Sequence, residues 1–466
     1  MKLNELQKQV VGLDAEVILL DGSKRRYVNF DNAASTPPLL PVQQKVNEFC
    51  RWYSNVHRGT GFKSQISSWV FEEGRRMIAD FVKADEKSSV IFCKNTTEAI
   101  NKLASRFCCP AAGEEKPVIL TTIMEHHSNE LPWRRVGKVV HIALNPDGTI
   151  NTADFDEKLK KYGGQVQLLA VNGASNVTGY INPIHEFARK VHEVGAQIAV
   201  DAAQLAPHRP IDVKPSDSPE HLDYLAFAAH KMYAPFGIGV LVTAKNLFEI
   251  RDPEYVGGGT VDVVSLESAY WKDLPEREEA GTPDIVGVIA LAEVIKLIEE
   301  VGFQEIIAHE AELTAYALKK LNAMPEIIIY GDKNPENAAQ RLGVISFNVK
   351  GVHHALVAAI LSYEGGIGVR NGCFCSQPYV NHLLNISSEE QEENKARILA
   401  RDRSKVPGTV RISFGMYNTK EEIDYFCDVL NMIIKQQYKG KYVMNKERGE
   451  YYPEGFKLDF STYFQF

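Results

Sequence analysis

The chain has 466 residues, of which 44% are hydrophobic and 24% charged, and carries a net charge of −8 at neutral pH. At roughly 150 residues per domain this length implies two or three cores, and the acidic balance argues against any general attraction to nucleic acid or an anionic membrane. No tract approaches the roughly 20 apolar residues that span a bilayer, and seven cysteines, an odd number at irregular spacing, argue against a disulfide framework.

The N-terminal MKLNELQKQVVGLDAEVILLDGSKRR sets Lys2, Glu5 and Lys8 among its apolar positions and lacks a continuous apolar stretch followed by small residues. It does not read as a signal peptide, so a cytoplasmic location is expected. From about residue 85 to 245, SSVIFC, KPVIL, QVQLLAVN, AQIAVDAAQ, DYLAFAA and GIGVLV read as buried strands separated by turns and helical stretches. Such alternation predicts an α/β domain with a mostly parallel sheet, in which ligands bind beyond the carboxyl ends of the strands. The stretch from about 286 to 325 predicts two helices leading into a smaller α+β unit. There RLGVISFNV, GIGVR and GTVRISF read as strands and EEIDYFCDVLNMIIKQQY as a helix, while SSEEQEENKARILARDRSK reads as a solvated helix or loop. The expected division is 1–30 as an N-terminal segment packing with the small domain, 31–285 as the large domain, 286–438 as the small domain and 439–466 as an extension without periodicity.

Four strand ends carry chemistry-bearing residues. Asn95, Thr96 and Thr97 follow VIFC and open a helix, whose free N–H groups and positive dipole end suit a phosphate, although helix capping alone also explains them. Asp201 ends AQIAV, where an unpaired buried carboxylate is costly; a pyridinium nitrogen would be a fitting partner, since an adjacent anion keeps it protonated, and a capping Asp is the alternative. Lys231, after DYLAF and one strand–helix unit beyond Asp201, sits where desolvation would give the neutral amine that imine chemistry needs, with Pro235, Gly237 and Gly239 in the turn behind it. His126 and His127 follow PVILTTI; as adjacent residues they point different ways, so a metal site is not expected, and one ring could stack on a planar ligand.

Together these stations resemble the class V aminotransferase group of fold-type I pyridoxal-phosphate enzymes, in its cysteine desulfurase and selenocysteine lyase branch. NFDNAAST (29–36), NVHRGTGFKS (55–64), NTTEAIN (95–101), MEHHSNELPW (124–133), SNVTG (175–179), VDAAQ (200–204), AAHKMYAPFGIGVL (228–241), GGGT (257–260), EAGTPD (279–284), VRNGCFCS (369–376) and RISFGMYNT (411–419) carry the resemblance in order. It implies a homodimer with a large cofactor-binding domain and a small domain bearing the cysteine loop. Carried over, Lys231 holds pyridoxal 5'-phosphate as a Schiff base, Asp201 pairs with its ring nitrogen, His126 stacks on the ring, and Gln204 and Asn176 lie near its phenolic oxygen. Thr96, Thr97, His230 and, from the partner subunit, Thr282 hold the phosphate. Arg411, Arg370, Asn176 and His57 are on the substrate side, with Arg411 clamping the α-carboxylate.

Cys375 falls where desulfurases carry the nucleophile, with Arg370 expected to help make its surroundings electropositive. Cys373 is expected to face the other way and pack as a small hydrophobe. The implied reaction removes sulfur from cysteine, or selenium from selenocysteine, as a persulfide on Cys375 and releases alanine to solution, with a possible sulfur-acceptor protein downstream. Ala228 departs from the family, standing where many desulfurases place a phosphate-binding serine, and the segment from Ser376 to Arg411 is longer and more charged than in compact members. The alternatives are another class V enzyme, such as an aminotransferase, epimerase or C–S lyase on a different amino acid, and a non-catalytic scaffold or sulfur-relay partner.

Overall fold

The structure is a computed structural model that describes residues 1–56, 59–107 and 116–466. Seven strands build its large sheet: β1 (Ser88–Cys93), β2 (Val118–Thr122), β3 (Lys138–Ile142), β4 (Val166–Asn172), β5 (Gln197–Asp201), β6 (Tyr224–Ala228) and β7 (Gly239–Ala244), in the order β1-β7-β6-β5-β4-β2-β3. The pairs from β3 through β6 are parallel, whereas β7 runs antiparallel to both β6 and β1. Helices cover both faces of a parallel sheet, so its strands need no polar side. Accordingly β2 and β6 are buried at every position, and each of the six apolar runs overlaps one of these strands. The strand not anticipated is β3, whose sequence KVVHI lies at the sheet edge, partly exposed and too mixed to stand out.

Register brings the strand ends into line. Asn172, the last residue of β4, is opposite Asp201, the last of β5, which is opposite Ala226 in β6. Because β7 is antiparallel, its first residue, Gly239, lies at this same edge, opposite Ala228 and Cys93.

After β7 comes a hairpin, β8 (Val261–Val264) and β9 (Ala269–Trp271), then the helices Ile285–Val301 and Phe303–Asn322. A second, antiparallel sheet has the order β10-β11-β13-β12, formed by β10 (Ile327–Tyr330), β11 (Val344–Val349), β12 (Arg370–Gly372) and β13 (Thr409–Ser413). Its helix Lys420–Ile434 starts at a capping box of Thr419 and Glu422 and turns Ile423, Phe426 and Leu430 into the second core. GIGVR yields only the two-residue strand Ile367–Gly368, paired in parallel with Val28–Asn29, before β12 begins.

The N-terminal segment divides between the cores: Leu3, Leu6 and Val10 join the larger, Val28 and Phe30 the smaller. The charged stretch is the helix Ser388–Leu399, which buries no residue. The extension, read as aperiodic, forms a hairpin of β14 (Tyr442–Asn445) and β15 (Glu450–Pro453) whose turn accepts Arg403 N–H at Lys446 O (2.7 Å) and Arg403 Nη1 at Glu447 O (3.0 Å). Among the described residues no helix is long and apolar enough to cross a membrane, and no group of three or more His, Cys, Asp or Glu could hold a metal ion.

Candidate active site

A cavity of about 430 Å³ opens at the carboxyl edge of the large sheet, lined by Thr96, Thr97, His126, Asn176, Asp201, Gln204, His230, Lys231, Arg370, Cys375 and Arg411 among others. These residues come from as many as seven chain segments, and the strand ends are what unite them.

The Asn95 side chain caps the helix Thr96–Ala104 by accepting from Glu98 N–H at 2.9 Å. Thr96 is 7% exposed, and its buried Oγ1 has no hydrogen-bond partner among the described residues. Thr97 Oγ1 lies 2.7 Å from Ser128 Oγ. This turn depends on Gly239, where a Cβ would fall 2.5 Å from the Asn95 carbonyl carbon, closer than any side chain could be accommodated.

Lys231 ends a single 3₁₀ turn, Ala229–Lys231, directly after β6. Burial lowers its pKa from the usual lysine range to about 8; Asp201 opposes that shift, and the charge of Arg411 adds to it. Asp201 is pushed up by burial, against the pull of the Ala203 N–H at 3.0 Å and of the Lys231 charge. Burial, reinforced by Lys231, holds His126 and His230 at about 4, so both rings are neutral near pH 7. His126 Nδ1 accepts the Ser128 N–H at 3.2 Å, which fixes Nε2 as the protonated nitrogen of the neutral ring.

Beneath His126, Glu125 is fully enclosed, and burial raises its pKa to about 8 despite bonds from Thr122, Asn129 and Asn172. Asn172 also lines the cavity. The motif reading missed Asn172 and Ser128; the signal for Asn172 was its position as the polar end of an apolar run.

Arg411 and Arg370, expected on the substrate side, come from the second sheet. Arg411, in β13, is buried; Nη1 donates to Asn176 O at 2.9 Å, Nη2 pairs with Asp31 Oδ1 at 2.9 Å, and Nε has no partner among the described residues. Its guanidinium lies 4.8 Å from the centre of the Phe374 ring. Arg370 reaches the cavity but pairs with the other Asp31 oxygen at 2.9 Å, so the electropositive setting expected from it is offset by a carboxylate missed in the sequence.

Cys375 is exposed and faces the cavity, in a loop where Phe374 and Cys375 take φ of 51° and 55°. That left-handed pair is held from four directions. Asn176 Nδ2 donates to Phe374 O at 2.9 Å, Ser376 Oγ donates to Asn176 Oδ1 at 3.1 Å, His127 N–H donates to Cys375 O at 2.7 Å, and Gln377 N–H donates to His127 Nε2 at 3.3 Å. Cys373 is half-buried, its Sγ donating to Pro407 O at 3.3 Å, and burial raises its pKa to about 11. The two thiols do part company, but for a different reason than chain alternation: residues two apart in an extended strand share a face, and the left-handed turn is what separates them.

Gln204 Nε2 donates to Ala33 O at 2.7 Å, leaving its second amide hydrogen for the cavity. Thr282 does not line this cavity; it lies in a separate cleft of about 230 Å³ with Asn55, Gly258, Lys272 and Gly281. His57 lies outside the described residues.

Residues 28–426 match the family model Aminotransferase class-V. A probable cysteine desulfurase of Halalkalibacterium halodurans is 36% identical over 430 residues, 91% of this chain and 96% of that protein. One of Pyrococcus abyssi is 37% identical over 415 residues, 88% of this chain and 94% of that protein. Among solved structures, an apo cysteine desulfurase from Thermococcus onnurineus superposes with a TM-score of 0.78 at 32% identity, covering 93% of this chain and 98% of that one. The cysteine desulfurase CsdA (S-sulfonic acid) of Escherichia coli gives 0.76 at 26% identity, covering 94% and 100%. The resemblance read from the motifs therefore holds over nearly the whole length, and the chain belongs to the aminotransferase class-V family.

Proposed function

We propose that this chain is a pyridoxal-phosphate-dependent cysteine desulfurase that takes sulfur from L-cysteine, or selenium from selenocysteine, onto Cys375 and releases alanine. The observation that carries the reading is one cavity lined at once by Lys231, Asp201, Arg411 and an exposed cysteine, Cys375. The similarity to proteins named cysteine desulfurase supports it.

The residues fit the cofactor. A buried hydroxyl without a partner among the described residues, Thr96 Oγ1, stands at a capped helix start that only a glycine at 239 lets form, as an anion site requires. Thr96, Thr97 and His230 would hold the phosphate, His126 would stack on the ring, and Asn176 and Gln204 would lie on its phenolic side. Bound there, pyridoxal phosphate supplies an electron sink for the pair released at the substrate's α-carbon.

The remaining work belongs to side chains of this protein. Asp201 holds a proton on the ring nitrogen by its negative charge. Arg411 binds the substrate carboxylate through the Nε–H that has no partner among the described residues. Lys231 Nζ, brought to about 8, takes the α-proton at near-neutral pH. Cys375 Sγ, as thiolate, attacks the substrate sulfur: the S–S bond forms as the C–S bond breaks, its electron pair goes to the β-carbon, which takes up a proton, and return of the α-proton from Lys231 Nζ gives alanine. The transferred sulfur is oxidised to the persulfide level and the β-carbon is reduced, so no outside oxidant is needed. Exposure of Cys375 leaves the persulfide open to a sulfur-acceptor protein.

The active unit in this reading is a homodimer, with Thr282 of the partner subunit completing the phosphate site. Its support is a set of exposed apolar residues, Tyr255, Val256, Val263, Leu266 and Tyr270, on and beside the β8–β9 hairpin near the Thr282 cleft.

The test is alanine and sulfide release from L-cysteine with a reductant, for wild type, Lys231→Ala and Cys375→Ser. Equal release by wild type and loss in both variants supports the reading. A cofactor-bound protein inert on cysteine, or one in which Cys375→Ser keeps its activity, overturns it in favour of another class V reaction.

A further inference from the structure

We propose that Ser128 is a phosphate-binding residue of this chain, supplying with Thr97 the hydroxyl donor that Ala228 does not; this rests on the cofactor reading above. Ala228 ends β6 with a methyl group, is 1% exposed and does not line the cavity, so that strand end offers the anion no donor. Ser128 lies in the 3₁₀ turn His127–Asn129 after β2 and does line the cavity.

Its backbone N–H is committed to His126 Nδ1, leaving the hydroxyl as the group free to act. That hydroxyl is 2.7 Å from Thr97 Oγ1. Two hydroxyls carry two protons, and the bond between them uses one. The second proton must point elsewhere, and what adjoins the pair is the cavity at the first turn of the helix Thr96–Ala104. The neighbouring Thr96 Oγ1, buried and without a partner among the described residues, independently indicates that a group from outside the protein completes this corner.

An anion there receives a bond from the end of a two-hydroxyl chain, each member polarising the next. Ser128 therefore acts on the phosphate and not on the ring, and the two are separable by ligand. The experiment titrates the cofactor-free protein with pyridoxal phosphate and, separately, with pyridoxal, reading the absorbance of the bound chromophore, for wild type, Ser128→Ala and Ser128→Thr.

The expected result is a loss of about tenfold in pyridoxal phosphate affinity for Ser128→Ala, the size of one hydrogen bond to a charged group, with pyridoxal affinity unchanged. Ser128→Thr, which restores a hydroxyl, should recover most of the loss. Unchanged pyridoxal phosphate affinity in Ser128→Ala overturns the proposal, as does an equal loss for both ligands, which would mean Ser128 only shapes the turn. Failure of the underlying reading looks different: wild type itself would take up neither ligand.

Discussion

The strand-end edge and the cysteine loop lie on one cavity and are built on opposite principles. At the edge, Lys231, Asp201 and His126 are fixed by sheet register, and burial sets their protonation: Lys231 near 8, His126 near 4. In the loop, Cys375 is exposed, and what the protein controls is its position, through a left-handed Phe374–Cys375 pair. A non-glycine residue in that conformation costs roughly 1–2 kcal/mol, so the pair persists only because Asn176 and His127 bond to the loop, Asn176 at both Phe374 O and Ser376 Oγ. The difference fits the chemistry proposed. Proton transfer needs a tuned pKa in a rigid wall, whereas a nucleophile that collects sulfur and hands it on needs access, which a strand end cannot give.

The largest effect should come from the edge. Lys231→Ala removes the amine proposed both to hold the cofactor and to move the proton, and alanine release should fall by about a thousandfold or more; a variant retaining a tenth of wild-type activity would break the assignment. Asn176 belongs to both regions, since its amide holds Phe374 O and Ser376 Oγ while its carbonyl accepts from Arg411. Asn176→Ala deletes two of these bonds, and at about 1 kcal/mol each the expected loss is about thirtyfold in alanine release. A change under threefold would mean that the loop is not held from the edge.

The pKa of Lys231 sharpens the contrast further. The neutral amine is the reactive form, so cofactor uptake by the cofactor-free protein should accelerate about tenfold per pH unit below 8 and level off above it. The rate measured by absorbance from pH 6 to 10 checks this; a midpoint near the ordinary lysine value of 10.5 would mean that burial does not set it.

The same contrast explains what could be read in the sequence. Buried parallel strands leave continuous apolar runs, and the polar residues placed just after each run stand out, as Asp201, Lys231 and Thr96 do. Edge strand β3 and the hairpin β8–β9 bury too little to leave a pattern, and β14–β15 was hidden in an aromatic tail. Asp31, which pairs with both Arg370 and Arg411, is about 340 to 380 residues from them in sequence, and nothing local marks it. The cysteine loop was located by its motif, but its left-handed turn was not, because it arises from bonds to residues 127 and 176, which only the assembled fold brings near.

The smallest expected effect concerns His127, which holds the loop twice, by its backbone N–H on Cys375 O and by Nε2 accepting from Gln377 N–H. Only the second bond depends on the side chain, so His127→Phe should lower turnover about fivefold, the size of one ordinary hydrogen bond, with cofactor affinity unchanged. The ring must be neutral at Nε2 to accept, and burial, the leading cause, keeps its pKa below the ordinary 6.5. Near pH 7 the clamp is therefore intact. As pH falls through that lowered value, Nε2 gains a proton, two N–H groups face each other, and the loop loses this hold. His127→Gln, whose side-chain oxygen accepts at any pH, should keep most of the wild-type turnover and shed the part of the acid-side decline that belongs to the clamp. Identical acid limbs in the two proteins would show that the loop is held by the edge residues and its backbone bonds alone.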